Sequence, residues 1–162
     1  MPTPPENRQK LDPMDAKLRL FPQNSHEIPG FAQKKGFYSD LHRSILKVDR
    51  VERGRVICSL TVDSAVANKY KTLHGGAVAS VAEMVSLACA KTVAGDKDFF
   101  LGELTTAYLS SASLNEVITV DAFILRQGRS VVVTSVNFST KTTGKLLYTS
   151  RSTFYIMPVA SL

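Results

Sequence analysis

Apolar and polar residues follow two different periods along the chain, which indicates strands together with a helix. In Arg55 to Val62 every second residue is apolar, the pattern of a half-buried strand. From Gly75 to about Val93 apolar residues recur at spacings of three and four, and Gly95 follows where helix ends favour a residue with positive φ. Because this segment is apolar on nearly every face, the pattern predicts a buried helix of about five turns.

Further strand-like segments lie on both sides of this helix. One precedes it at about 43–49, and four follow it at about 102–110, 116–125, 130–140 and 145–157. Glycine-containing turns at 126–129 and 141–145 join the last three strands as hairpins. The pattern therefore predicts an α+β fold, in which a curved antiparallel sheet of five to six strands wraps around one long central helix.

The N-terminal segment differs from the rest of the chain. Six of the seven prolines lie within residues 1–35, where periodicity is weak. We therefore predict a poorly ordered arm over residues 1–35 and one folded domain over residues 36–162. The sequence has no secretory signal pattern and no apolar run of about 18 residues, so a membrane span is not expected. We expect a cytoplasmic location, with mitochondrial and peroxisomal locations left open.

Charge is distributed unevenly. The formal net charge is +6, and the segment from Ala122 to Leu162 contains five basic residues and no acidic one. Such a surface attracts polyanions, so its partner is nucleic acid or a phosphorylated small molecule, unless it is simply solvated. No aromatic and basic signature of an RNA-binding domain accompanies it, so nucleic acid is not expected. Neither the two cysteines nor the three histidines have metal-ligand spacing, so no metal site is expected.

Glu83 is the one charged residue between Gly76 and Lys91. A carboxylate inside a buried helix is costly to desolvate. Glu83 is therefore a candidate general base or nucleophile. The alternative is that Glu83 lies on a thin exposed strip of the helix or caps a neighbouring loop.

The start of the helix, His74-Gly75-Gly76, is a second candidate feature. A helix N-terminus has unsatisfied N–H donors and the positive end of the helix dipole, which suit an oxyanion or a polarised carbonyl oxygen. A tight turn alone would also favour glycine. Gly75 and Glu83 are separated by about 12 Å along a helix, too far for one small reacting group. If both act in one reaction, they come from two antiparallel copies of the helix, which predicts a two-fold dimer with two composite sites.

The segment Asn68-Lys69-Tyr70-Lys71-Thr72-Leu73-His74-Gly75-Gly76, followed by a small-residue helix with one acid, resembles the hotdog-fold acyl-CoA thioesterases. It is most similar to the branch of the phenylacetate-pathway thioesterases and thioesterase superfamily member 2, over about residues 44–155. The resemblance implies hydrolysis of acyl-CoA to a free acid and coenzyme A, with no cofactor other than the coenzyme A of the substrate. It also implies a homodimer that pairs into a dimer of dimers.

The resemblance further implies residue roles. The N–H groups of Gly75 and Gly76, aided by the Asn68 side chain, would hold the thioester carbonyl. His74 would position the loop, and Glu83 from the partner chain would activate water or attack the carbonyl. The implied coenzyme A contacts are Tyr108, Ser110, Ser111, Ser113, Arg126, Gln127, Gly128, Arg129, Ser130 and Tyr155. Arg126 and Arg129 flank a turn, where we expect both side chains to be exposed to phosphate groups.

Leu101 departs from the family pattern. Related enzymes carry a Ser or Thr at this position, where it helps to orient the water. Glu103 and Thr105 follow nearby, but the sequence does not assign either to the site. The missing hydroxyl leaves open a module that binds acyl-CoA without turnover. A separate alternative is a hydratase or dehydratase of the same fold that acts on acyl thioesters, although His74 beside two glycines at the helix start fits a thioesterase better.

Overall fold

The computed structural model describes residues 30–157. Within residues 30–37, a short 3₁₀ turn spans Gly30–Gln33, and the rings of Phe31 and Phe37 meet edge to face with centroids 5.8 Å apart. Most of the predicted N-terminal arm falls on residues 1–29. These residues and residues 158–162 lie outside the described part of the chain.

Two helices and six strands follow in chain order. They are α1 (Phe37–Ser44), β1 (Leu46–Glu52), β2 (Arg55–Thr61), α2 (Gly75–Ala94), β3 (Phe99–Tyr108), β4 (Val117–Gln127), β5 (Val131–Thr140) and β6 (Leu146–Ile156), with a 3₁₀ turn at Ser64–Val66. The long helix and the six predicted strands are all found, each end within about three residues of its predicted position.

Helix α1 was not predicted by the sequence pattern. The prediction of a strand from Arg43 is wrong at its start, because Arg43 and Ser44 end this helix and β1 begins at Leu46. Residues four apart face each other on a helix, and here the rings of Tyr38 and His42 pack with centroids 4.4 Å apart. His42 is buried, and its Nδ1–H donates to the Tyr38 carbonyl at 2.7 Å.

The six strands form one antiparallel sheet in the order β1-β2-β4-β5-β6-β3, so β1 and β3 are its edges. Helix α2 packs on the inner face of this sheet. Val78, Val81 and Cys89 of the helix are fully buried against strand residues that include Val120 and Phe138. The predicted α+β architecture of one long helix against an antiparallel sheet is confirmed, and it has the form expected of a hotdog fold.

The prediction that α2 is buried on all sides is wrong for the single chain. One strip of the helix is exposed or half-buried, and we call it the open strip: Gly76, Ala79, Ser80, Glu83, Met84, Leu87, Ala88 and Lys91. The sheet covers only the opposite side of the helix, and small residues make the open strip look as apolar as the buried side in sequence. By length and composition alone α2 could cross a membrane, but this is weak evidence for a helix that packs on a sheet.

Two irregularities in the edge strands decide which side chains face the helix. In β1 the register shifts between Val48 and Arg50, so Val51 pairs with the inward-facing Val56. In β3 it shifts between Leu101 and Glu103. Such bulges re-aim the side chains that follow them.

Candidate active site

His74 caps the start of α2. Its backbone is extended (φ −66°, ψ 133°), and its Nδ1 accepts a hydrogen bond from the Gly76 N–H at 3.0 Å. Since Nδ1 accepts, the proton of the neutral imidazole is on Nε2. His74 therefore organises the helix start, as the family resemblance implies, and its Nδ1 has no lone pair left for proton transfer.

Gly75 carries a half-buried free donor at this end of the helix. Within residues 30–157 no hydrogen bond to the Gly75 N–H is found, whereas the Gly76 N–H is already occupied by His74. The helix dipole adds positive potential at this N–H. The Tyr108 hydroxyl donates to the Gly75 carbonyl at 3.0 Å, and its ring would lie 3.4 Å from a Cβ at Gly75. A methyl group at Gly75 would thus be in ordinary van der Waals contact with the Tyr108 ring.

Asn68 holds the loop that leads to this helix start. Its Oδ1 accepts from the Tyr70 N–H at 2.9 Å and from the Thr72 N–H at 3.2 Å, and its Nδ2 donates to the Thr72 hydroxyl at 2.9 Å. The loop includes Lys71 at φ 58°, a left-handed conformation that needs such support. In this conformation Asn68 acts as a turn residue with one amide proton to spare.

Glu83 lies on the open strip and is exposed in the single chain. The expectation of a desolvated carboxylate is wrong for this state, because the sheet covers the other side of the helix. Glu83 follows Gly75 by more than two turns, about 12 Å along the axis. One copy of the chain therefore does not bring the free N–H and the carboxylate to the same substrate atom.

A hydroxyl pair that was not predicted lies beside the helix start. Tyr38 Oη and Ser80 Oγ are 2.8 Å apart, and Ser80 Oγ donates to the Gly76 carbonyl at 3.0 Å. Tyr38 borders a cavity of about 200 Å³ together with His42, His74 and Gly76. Sequence reasoning missed Tyr38 because it missed α1, and the one signal available was the spacing of Tyr38 and His42.

The predicted coenzyme A residues fall into two groups at opposite ends of the sheet. Tyr108 pairs with Tyr148 near one end of β6, and the turn after β4 lies near Tyr155 at the other end. Seven residues of strand separate these positions, about 23 Å. The structure does not bring the two groups together within one chain.

The first group forms a well-bonded loop next to Gly75. Ser110 Oγ accepts from Lys145 Nζ at 3.1 Å, and the Ser113 N–H donates to Glu116 Oε2 at 2.8 Å. Ser111 is exposed. Beneath the loop the buried Ala112 N–H donates to the Tyr148 hydroxyl at 2.9 Å, and burial raises the pKa of Tyr148.

The second group surrounds the hairpin turn between β4 and β5. Arg126 and Arg129 are exposed, as predicted, and neither forms an ion pair with any residue in the range 30–157. The backbone of Gly128 donates to Val131 at 2.7 Å and that of Ser130 accepts from Ile156 at 2.9 Å. Gln127 Nε2 donates to the Val93 carbonyl at 3.2 Å, and the ring of Tyr155 lies over Gly102.

Leu101 faces inward, into a cluster that contains Ala90, Val132 and Phe154. After the bulge, Glu103 and Thr105 border a groove on the outer face and are joined by a hydrogen bond of 3.3 Å. Neither can supply the hydroxyl that is missing at Leu101, because both lie on the other side of the sheet from α2.

An apolar groove runs beside the open strip, with a volume of about 360 Å³. Its walls are Leu46, Val48 and Val51 of β1, Val56 and Cys58 of β2, and Met84, Val85 and Ala88 of α2, with Arg43 at the rim. Val48 and Val51 are 60% and 61% exposed, an unusual state for two apolar residues that face inward. The groove therefore offers an apolar surface that the chain itself leaves uncovered.

The cysteines are not candidate nucleophiles. Burial raises the pKa of Cys89 to about 11 and also raises that of Cys58, so both thiols stay protonated near neutral pH. Among residues 30–157 no group of three or more His, Cys, Asp or Glu side chains could hold a metal ion.

Comparison with known proteins adds sequence and structural relatives. The family model of the thioesterase superfamily matches residues 70–147. Human acyl-coenzyme A thioesterase 13 is 35% identical over 104 residues, which cover 64% of this chain and 74% of that protein. The crystal structure of zebrafish thioesterase superfamily member 2 has a TM-score of 0.72 at 28% identity and covers 78% of this chain and 91% of that one. A mutant of the phenylacetic acid degradation protein PaaI from Thermus thermophilus has a TM-score of 0.66 at 17% identity over 73% of this chain and 99% of that one, a likeness of fold alone.

Proposed function

Because this chain belongs to the thioesterase superfamily, we propose that it hydrolyses acyl-CoA thioesters at sites built from two copies of the chain. The activity is that of an acyl-CoA thioesterase, and the substrate carries its own coenzyme A. The shared site is the finer part of the proposal. It rests on the separation of the free Gly75 N–H from Glu83 along one helix.

An antiparallel pairing of two α2 helices along their open strips would close this gap. With Gly75 of one copy opposite Glu83 of the other, the two-fold axis passes near Ala79. The small residues Gly76, Ala79 and Ser80 lie on the open strip there and permit close approach of the two helices. The pairing would also shield Glu83 from bulk water. A carboxylate base requires such a desolvated environment.

The same symmetry would unite the two coenzyme A groups. An antiparallel dimer brings the Gly75 end of one copy towards the Gly95 end of the other. The loop that contains Ser110 and Ser113 would then lie near the arginine-bearing turn of the second copy. The free edge of β3 supports this pairing, because two such edges can hydrogen-bond across a two-fold axis. On the outer face of the sheet, exposed Phe100 and Tyr155 support back-to-back packing of two dimers.

In this site the thioester carbonyl oxygen accepts a hydrogen bond from the Gly75 N–H. Glu83 of the second copy removes a proton from water, and the water oxygen bonds to the carbonyl carbon. The oxyanion that forms is stabilised by the Gly75 N–H and the helix dipole. The C–S bond then breaks, and coenzyme A leaves as a thiolate that takes up the proton. The acyl chain occupies the apolar groove, and Met84, the residue after Glu83, is part of its wall.

Subunit mixing tests the shared site. Gly75→Pro removes the N–H at a helix position that tolerates proline, and the extended backbone of His74 suits a following proline. Glu83→Gln removes the base from the other half of the site. Each variant alone should lose at least about 100-fold in coenzyme A release. A one-to-one mixture that exchanges subunits should recover about a quarter of wild-type activity, since half of the dimers carry one intact site.

Gly75→Ala is the matched control, because it adds a methyl group but keeps the N–H. It should retain most of the activity of the wild type. Failure of the mixture to recover activity, after exchange has been verified by mass spectrometry, contradicts the shared site but not the hydrolysis. A wild-type protein that releases no coenzyme A from short, long or aromatic acyl-CoAs contradicts the activity itself.

A further inference from the structure

The hydroxyl pair of Tyr38 and Ser80 has a fixed direction. Ser80 has one hydroxyl proton, and it donates that proton to the Gly76 carbonyl at 3.0 Å. The contact of 2.8 Å between the two hydroxyls is therefore a donation from Tyr38 to Ser80. As a result Tyr38 Oη can accept hydrogen bonds, since none of residues 30–157 donates to it, and Tyr38 is 58% exposed.

The position of Tyr38 Oη is beside Gly76, the residue that follows the donor of the proposed site. It lies 3.9 Å from where a Cβ at Gly76 would stand, and it borders the cavity at the helix start. The ring is held in place by its edge-to-face packing on His42, which is 2% exposed. Ser80 itself lies on the open strip, one turn from Gly76 and three residues before Glu83.

We propose that Tyr38 Oη accepts a hydrogen bond from the attacking water and so orients it, with Ser80 as the residue that holds the Tyr38 hydroxyl. The proposal rests on the proposed thioesterase site. A water molecule that attacks a carbonyl has two protons to direct away from the carbon. One proton goes to Glu83 of the second copy, and the other is held by Tyr38 Oη, so that a lone pair of the water points at the carbonyl carbon.

The residues near the β3 side of the site do not supply an acceptor for the attacking water. Leu101 carries no hydroxyl and packs in an apolar cluster, and Glu103 and Thr105 lie on the outer face. The Tyr108 hydroxyl donates to the Gly75 carbonyl and lies on the flank of the helix towards β3. Tyr38 approaches from α1, so it supplies from the other flank the acceptor that the β3 position lacks.

Tyr38→Phe tests the proposal, because it removes the acceptor and keeps the ring that packs on His42. We expect kcat to fall about 10- to 100-fold, with KM within about twofold of wild type. Binding of a non-hydrolysable thioether analogue of the acyl-CoA should not change, since the water does not contribute to ground-state binding. Ser80→Ala should lower kcat less, and Ser80→Thr, which keeps a hydroxyl, should restore it. Tyr70→Phe, at a tyrosine that is 73% exposed on the preceding loop, is the control and should leave both constants unchanged.

Two results would overturn the proposal while leaving the shared site intact. One is an unchanged kcat for the Tyr38→Phe variant, when the separate Glu83→Gln variant is inactive. The other is a loss of analogue binding as large as the loss in kcat, which would make Tyr38 a packing residue. If Tyr38→Phe does not fold, Ser80→Ala decides, and wild-type kcat in that variant refutes the role.

Discussion

At its N-terminal end helix α2 leaves the Gly75 N–H without a partner among residues 30–157, whereas at its C-terminal end two carbonyls of the last turn are bonded from outside the helix. Gly95 donates to the Lys91 carbonyl at 2.9 Å, and the Val93 carbonyl accepts from Gln127. Around this end Leu101 packs with Phe154 and its neighbours. The two ends thus differ in kind, because the N-terminal end leaves N–H donors to be satisfied and the C-terminal end leaves C=O acceptors.

Bonded backbone groups at the helix ends stabilise the fold, whereas an unbonded N–H is required for the reaction in the proposed site. A helix end without partners is a cost to stability, and at the C-terminal end bonds to the Lys91 and Val93 carbonyls reduce that cost. The N-terminal end avoids it only in part, since His74 satisfies Gly76 and leaves Gly75 open. The Gly75 N–H is therefore the donor that the proposed site assigns to the thioester carbonyl.

The glycines at the two ends give the largest expected contrast. Gly75→Pro should lower kcat about 100- to 1000-fold, by removal of an oxyanion donor, with little change in the free energy of unfolding. Gly95→Ala should lower the free energy of unfolding rather than kcat. Gly95 has φ 72° and ψ −158°, a backbone region almost exclusive to glycine. We expect it to destabilise the protein by about 1–3 kcal/mol and to leave the kcat of the folded enzyme unchanged. Urea unfolding and coenzyme A release measure the two effects, and a large loss of kcat in Gly95→Ala would break the contrast.

The sequence predicted the strands and the long helix because their periods of two and three to four are set by burial against one sheet. The sequence did not predict α1, because a helix of eight residues is too short to show a clear periodicity of apolar residues. It also predicted a helix buried on all sides, because the small residues of the open strip resemble core residues when only one chain is considered. The separation of Tyr108 from Arg126 depends on strand order, which no local pattern encodes.

Leu101→Ser tests whether the C-terminal end is purely structural. A serine here would restore the hydroxyl of related enzymes, but it would replace an apolar side chain within a cluster of apolar residues. We expect a loss of about 2–3 kcal/mol in the free energy of unfolding, from lost packing and from the burial of a hydroxyl among apolar side chains. No gain in kcat is expected. A kcat above that of wild type, in protein confirmed to be folded, would show that this end of the helix also reaches the water.

The smallest predicted effect concerns the loop beside the open end. Tyr148→Phe leaves the buried Ala112 N–H without its acceptor, which should cost about 1 kcal/mol of the free energy of unfolding. Because the loop carries Ser110 and Ser113, KM should rise slightly while kcat is retained.

The pH dependence of stability provides a second measurement on the same residue. Burial raises the pKa of Tyr148 above its ordinary value of 10, so its contribution to stability is complete below pH 10 and is lost as the pH rises beyond that. The difference in stability between wild type and Tyr148→Phe should therefore shrink above pH 10, and a difference that stays constant to higher pH would contradict the raised pKa of Tyr148.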